Sequence, residues 1–218
     1  MNPRSPRVFL VAVAACAGLC AAGCALLSKS APIEPRYYSP ERPSDLPKAA
    51  PQPPGTPPPE LRLGRVHGVS HLDELLVFRQ TASELGYYRL RRWTEVPAEY
   101  LKRRLSRVLF EERGLRQTMG GGGPTLEVQL TAFEELRTPR HLARVQTIVR
   151  LHDERAVRWQ ETVTVDLPVV AARSGDTSDA VVEALGRAMR ATVDRIADRV
   201  VRELEVAPTP ASAARGDR

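Results

Sequence analysis

Leu126-Glu-Val-Gln-Leu-Thr-Ala132 alternates apolar and polar side chains without a break. A strand turns successive side chains to opposite faces, so Leu126, Val128, Leu130 and Ala132 share one side that must be covered. Downstream, Ala143–Leu151 repeats the pattern through Val145, Thr147 and Val149, and Ala156–Val165 repeats it with Trp159, Val163 and Val165. His152-Asp-Glu-Arg155 supplies the turn between them. Three such strands in succession predict an antiparallel meander with one face buried and the other polar. The cover follows directly. Val182, Leu185, Met189, Val193, Ile196, Val200 and Leu204 recur at helical spacing, with candidate N-caps in Gly175-Asp-Thr-Ser-Asp179 and a stop at Pro208 and Pro210.

Upstream of the meander, Gly120–Gly123 and Pro124 make a loop. A phosphate-binding loop needs a strand before it, a helix after it and a lysine at its end. Here a helix precedes, a strand follows and lysine is missing. That preceding helix begins at Pro97, where a first-turn proline loses no needed hydrogen bond. It carries Leu101, Leu105, Val108 and Leu109 on one stripe, places Lys102, Arg103, Arg104 and Arg107 off it, and stops at Gly114. Before the helix, Leu75–Gln80 and Glu84–Leu90 flank Thr81-Ala-Ser83 as a hairpin, with Arg92-Trp93 closing its second strand. Leu61–Val69 alternates and reads as one further strand. Together these predict an α+β fold, a two-layer sandwich of a mostly antiparallel sheet covered by two helices.

The amino terminus has another character. Arg4 and Arg7 precede the uncharged, alanine-rich run Val8–Gly23, which ends in small residues before Cys24. A basic start, a short apolar run and small residues at the cut predict an export signal. Ala21-Ala-Gly-Cys24 resembles a bacterial lipobox, in which the cysteine is diacylglycerylated, becomes the first mature residue and is then acylated on its amine. Val13-Ala-Ala-Cys16 matches the box letters better but leaves a very short signal, so Cys24 is the expected lipid-attachment residue, with Cys16 the alternative. Several acyl chains, at roughly 0.8 kcal/mol per buried methylene, hold a protein at a membrane stably. From Ala25 to Glu60 lie eleven of the 19 prolines and few apolar residues, so no core can form there. An extended tether is expected, on the order of 100 Å at full stretch. Tyr37-Tyr38 interrupts it, and either docks as an extra strand or stands exposed. The expected organisation is a signal peptide over 1–23, a lipidated tether over 24–60, a folded domain over 61–206 and a disordered tail over 207–218.

Composition then excludes several chemistries. Cys16 and Cys20 would leave with the signal and Cys24 would be acylated, so disulfides, zinc-thiolate sites and thiol nucleophiles fall together. Lys+Arg number 32 against Asp+Glu 26. Losing Arg4 and Arg7 lowers the net charge of +6 by two, and the remaining arginines are interspersed with glutamates. That pattern describes a solvated surface rather than a nucleic-acid stripe. The histidines His67, His71, His141 and His152 are expected to be ordinary exposed side chains. His67 and His71 have the spacing of a helical metal pair but lie in a strand pattern. Glu134-Glu135, a candidate acid pair, is expected to end its strand in solvent. No serine sits in a nucleophile elbow, so no catalytic, cofactor-binding or metal-binding residue is expected.

The order strand, hairpin, helix, meander, long helix, behind a lipobox and a proline tether, resembles the ABC-type transport auxiliary lipoprotein family (PqiC-like). Tyr37-Tyr38, Leu76-Val-Phe-Arg-Gln80, Arg92-Trp93 before the first helix, Leu126–Phe133 and the helix from Val181 to Leu204 carry the resemblance. His71-Leu-Asp-Glu74 stands where the family tends to show Tyr-Leu-Asp, and Thr94-Glu-Val-Pro97 replaces its usual Ala-Glu-Pro-Leu, the departures of a divergent member. The resemblance implies a non-catalytic accessory to a lipid transporter between two membranes. Its partners would be an ABC permease and ATPase and an MCE-domain protein, with membrane contact through acyl chains, no nucleic acid, and a possible homo-oligomer. Ala25 lacks the aspartate associated with inner-membrane retention, which favours the periplasmic face of the outer membrane. An outer-membrane assembly lipoprotein, serving lipopolysaccharide or barrel insertion, is the alternative.

Overall fold

The computed structural model describes residues 33–41, 57–120, 123–170 and 177–206. The expected signal, Cys16 and Cys24, most of the proline tether and the tail lie outside the described residues. A compact unit begins at Pro35. Its strands are β1 (Arg36–Tyr38), β2 (Glu60–Gly68), β3 (Leu75–Arg79), β4 (Leu85–Trp93), β5 (Arg116–Gln117), β6 (Thr125–Leu136), β7 (Leu142–His152) and β8 (Val157–Pro168). The helices are α1 (Pro97–Ser106), continued by a π-helical segment Arg107–Glu112, and α2 (Ser178–Val206).

The sheet is organised on β6. Along one edge β6 pairs antiparallel with β7 over its whole length, and β7 pairs antiparallel with β8. This is the expected meander. Along its other edge β6 takes two partners end to end, both parallel. β2 runs beside Thr125–Leu130, and β3 runs beside Glu134–Leu136. β5 adds to β2, the expected hairpin adds β4 to β3, and β1 adds in parallel to β4. The sheet is therefore mixed rather than mostly antiparallel. The long ladders are antiparallel as expected, and parallel pairings join them. A parallel pair needs a crossover between its strands, and the stretch from β2 through the hairpin and α1 to β6 is one. Local alternation carries no information about such distant pairing.

A register shift between Leu130 and Ala132 divides β6. Before it, Leu126, Val128 and Leu130 stand opposite Leu151, Val149 and Thr147, all buried. After it, Phe133 and Glu135 stand opposite Val145 and Ala143, whose side chains continue the same face of β7. One extra residue in β6 thus changes which of its positions look inward. β8 completes this face with Trp159, Val163 and Val165.

The helices cover that face. α1 has Pro97 in its first turn and buries Tyr100, Leu101 and Leu105, with Val108 and Leu109 following on the π-helical segment. Gly114 adopts φ 68°, a left-handed conformation natural to glycine, just past the helix end. Arg104, expected off the stripe, is only 7 % exposed. It lies three and four residues from Leu101, Tyr100 and Val108, so helical geometry puts it on the buried face. α2 packs Val181, Leu185, Met189, Val193, Ile196 and Val200 against β7 and β8. Buried Thr192 returns its hydroxyl to Ala188 O at 2.8 Å, so this polar group costs the core no unpaired donor.

Candidate functional site

Two regions gather polar or unusual contacts, and the first is the entry of the chain into the folded unit. β1 pairs Tyr37 with Arg92 and Tyr38 with Trp93, and Thr94 N–H donates to Tyr38 O at 2.9 Å. Alternation then splits the tyrosine pair: Tyr38 is buried at 8 % exposure while Tyr37 stands at 62 %. Each of the two expected fates holds for one ring. Beyond them Pro40 passes over α2 at Gly186. A Cβ at position 186 would lie 2.3 Å from Pro40 O, so the close approach requires glycine. Glu41 then accepts from Arg103 on α1, at 3.2 Å from Nε and 2.9 Å from Nη2, while Arg103 Nη1 reaches Glu95 at 2.6 Å. These carboxylates push the Arg103 pKa up against its partial burial, with Glu95 contributing most. Residues 36–41 thus form a strap across β4, α1 and α2. A groove of about 300 Å³ borders it, lined among others by Tyr37, Pro40, Asp179, Val182 and Arg190.

The second region is the far end of β6. Glu134 and Glu135, expected in solvent, are 1 % and 3 % exposed. The register shift and the arrival of β3 beside this half of β6 enclose them. Arg79 on β3 grips Glu134 with two bonds, Nε to Oε1 at 2.7 Å and Nη2 to Oε2 at 3.2 Å. Glu135 accepts from Tyr88 OH at 2.5 Å, pairs with His141 Nε2 at 2.6 Å, and has Arg137 Nε at 3.6 Å. Arg137 also donates to Tyr88 OH at 2.9 Å and lies 3.5 Å over the Phe78 ring. Burial, and then the bond to Glu135, raises the Tyr88 phenol above its ordinary pKa. Each carboxylate oxygen already has a protein partner. Such a pair ties neighbouring strands together, both carboxylates buried and each oxygen engaged by a side chain of the fold.

The remaining candidates stay apart. His67 lies in β2, so its spacing to His71 is not that of a helical pair. All four histidines are half-buried rather than exposed, and His141 has the Glu135 partner that spacing alone did not suggest. Among the described residues no group of three or more His, Cys, Asp or Glu side chains could hold a metal ion. Among them, too, no helix is long and apolar enough to cross a membrane. The strap had one sequence signal, the paired tyrosines in a proline-rich stretch. The acid pair's only signal was an apolar Phe133 out of phase with the preceding alternation.

A family model described as the ABC-type transport auxiliary lipoprotein component matches residues 44–197. Among solved structures, a Xanthomonas campestris protein is 17 % identical with a TM-score of 0.60, covering 72 % of this chain and 93 % of its own. An uncharacterised protein is 16 % identical with a TM-score of 0.59, covering 77 % and 99 %. At these identities the likeness is one of fold. No curated protein matches the chain.

Proposed function

Because the chain belongs to the family of ABC-type transport auxiliary lipoprotein components, we propose that it serves a lipid transporter joining two membranes and works by contact rather than catalysis. The family match over most of the folded unit carries this reading, and as an auxiliary transport lipoprotein the chain is not an enzyme. The partners would be the ABC permease and ATPase of the inner membrane and an MCE-domain protein spanning the periplasm. Cys24 would bear the lipid, with residues 1–23 removed as signal. Because β1 docks Arg36–Tyr38 in the folded unit, the tether expected over 24–60 shortens to the stretch between Cys24 and Pro35, and the domain begins ahead of residue 61. The domain would then sit at the periplasmic face of the outer membrane. The lipobox letters and the arginines ahead of the apolar run support the anchor. The strap supports it as well, since it gives a tether a firm point of entry into the fold.

Affinity capture of the full chain from membranes tests the partners. Recovery of MCE-domain and permease proteins is the expected result. Recovery of barrel-assembly or lipopolysaccharide-assembly proteins instead would replace this reading with the alternative. Cys24→Ala tests the anchor separately. The variant should move to the soluble periplasmic fraction and the wild type should incorporate palmitate. A variant that stays with membranes, beside an unlabelled wild type, would refute the assignment.

A further inference from the structure

Arg104 is the one arginine among the described residues that the fold buries. Half-buried arginines elsewhere are matched by acids: Arg79 by Glu134, Arg103 by Glu41 and Glu95, Arg144 by Asp166. Arg104 is not. It lies at 7 % exposure, and no hydrogen bond, ion pair or ring contact reaches it from the described residues. Its Nε and Nη1 are enclosed without partners, which leaves Nη2 as the nitrogen that meets the surface. A charge withdrawn from water with nothing to balance it is expensive, and proteins rarely keep one.

The helix itself supplies no counter-charge. Arg107 N–H already bonds the carbonyls of Arg103 and Arg104, so no open helix end faces the guanidinium. Glu111 and Glu112 are the next acids along the chain, in the π-helical segment. There neighbours stack at i+5 rather than i+4, and neither acid forms an ion pair with Arg104 or Arg107. Arg107 shares the flank of Arg104, one turn on, and is half-buried. It too lacks a carboxylate partner among the described residues. Two positive charges thus stand side by side, unmatched. We propose that Arg104 and Arg107 bind a phosphate group, with Arg104 Nη2 as the principal donor. A doubly charged phosphate balances both guanidinium groups, where a single carboxylate leaves one charge over. Because the guanidinium charge is delocalised, an oxyanion on Nη2 neutralises the enclosed part as well. Burial strengthens the attraction, since charges interact more strongly out of bulk water. The phosphate is either the free ion or the headgroup of a lipid. The site does not depend on the transporter reading.

Thermal melts of the full chain in neutral detergent test it, with inorganic phosphate added against chloride at equal ionic strength. Phosphate should raise the melting temperature of the wild type in a saturable way, as a ligand of the folded state does. Arg104→Met should melt higher than the wild type in chloride, because an apolar side chain replaces an unbalanced charge. It should also lose the response to phosphate. Arg107→Gln should keep the fold and weaken phosphate binding by about tenfold, the loss of one charged hydrogen bond. Lys102→Gln removes an equal charge from another side of α1 and should leave the response unchanged. A second titration with dihexanoyl phosphatidic acid, kept dispersed as single molecules, separates the sources. Tighter binding than inorganic phosphate assigns the site to a lipid headgroup, and equal binding assigns it to the free ion. A lower melting temperature of Arg104→Met in chloride, or its failure to fold, would show that the guanidinium is already matched within the chain. That result overturns the proposal. So does a wild type indifferent to phosphate, a response kept by Arg104→Met, or an equal loss in Lys102→Gln.

Discussion

The two halves of β6 are held by opposite physics. From Thr125 to Leu130 the strand lies beside β2 and turns Leu126, Val128 and Leu130 to a face closed by apolar side chains. From Glu134 to Leu136 it lies beside β3 and buries two adjacent carboxylates, matched by Arg79 and Tyr88 from β3 and β4 and by Arg137 and His141 from the β6–β7 connection. The first half would tolerate many apolar residues of similar size, because water exclusion is not directional. The second half needs particular partners at particular distances. Its acids gain little over a well-packed apolar pair, but each is costly to orphan. Register is thus specified where β3 and β6 meet, and bulk stability is supplied where the helices cover the sheet.

Substitutions should separate the two regimes. Leu130→Asp puts an unpaired charge into the fully buried half and should cost more than about 4 kcal/mol, enough to leave most of the chain unfolded in a thermal melt. Glu135→Leu strips Tyr88, His141 and Arg137 of their acceptor and should cost about 2–3 kcal/mol, read as an earlier denaturant midpoint. If instead it stabilises the protein, the cluster is strained rather than satisfied. Glu134→Gln keeps the shape and loses the charge opposite Arg79, for a smaller loss of about 1 kcal/mol. Tyr88 extends the contrast to pH. Its raised pKa means the folded state holds the phenolic proton more tightly than the unfolded one. That stabilisation is complete below the ordinary pKa near 10 and fades as pH rises through the higher folded value. Absorbance titration should show a tyrosine ionising late, and Tyr88→Phe should remove it.

The smallest effect lies in the solvent-facing β7–β8 turn. Asp153 accepts from the N–H groups of Arg155 and Ala156 and from Arg158, which lower its pKa from 3.8 to about 2. The backbone bond from Arg155 contributes most. Its contribution is present above pH 3.8 and disappears as pH falls through about 2. Asp153→Asn should flatten that acid limb, with a small fall in melting temperature at neutral pH that closes as pH approaches about 2.

The same division governs what could be read from residues alone. The meander, the hairpin and both helices follow periodicities of two and of three to four, and they occur close to the expected positions. Parallel pairing of β2 and β3 with β6 left no periodic trace, because it depends on how distant segments stack. Glu134 and Glu135 depart from the solvent position expected of them for a related reason. Charged residues at a strand end ordinarily reach water, and only the shift at Thr131 with the arrival of Arg79 and Tyr88 encloses them. Arg104 has the chemistry of a surface residue but a spacing that turns it inward, and the spacing prevails. The strap was half legible in Tyr37-Tyr38, but Gly186 acquires its meaning only when Pro40 lies over it.

The strap has a mechanical consequence. A force applied ahead of Arg36 and directed along β1 acts in shear on the short parallel ladder with β4. The ladder, the seated Tyr38 ring and the Glu41–Arg103 bond therefore share the load instead of peeling away in sequence.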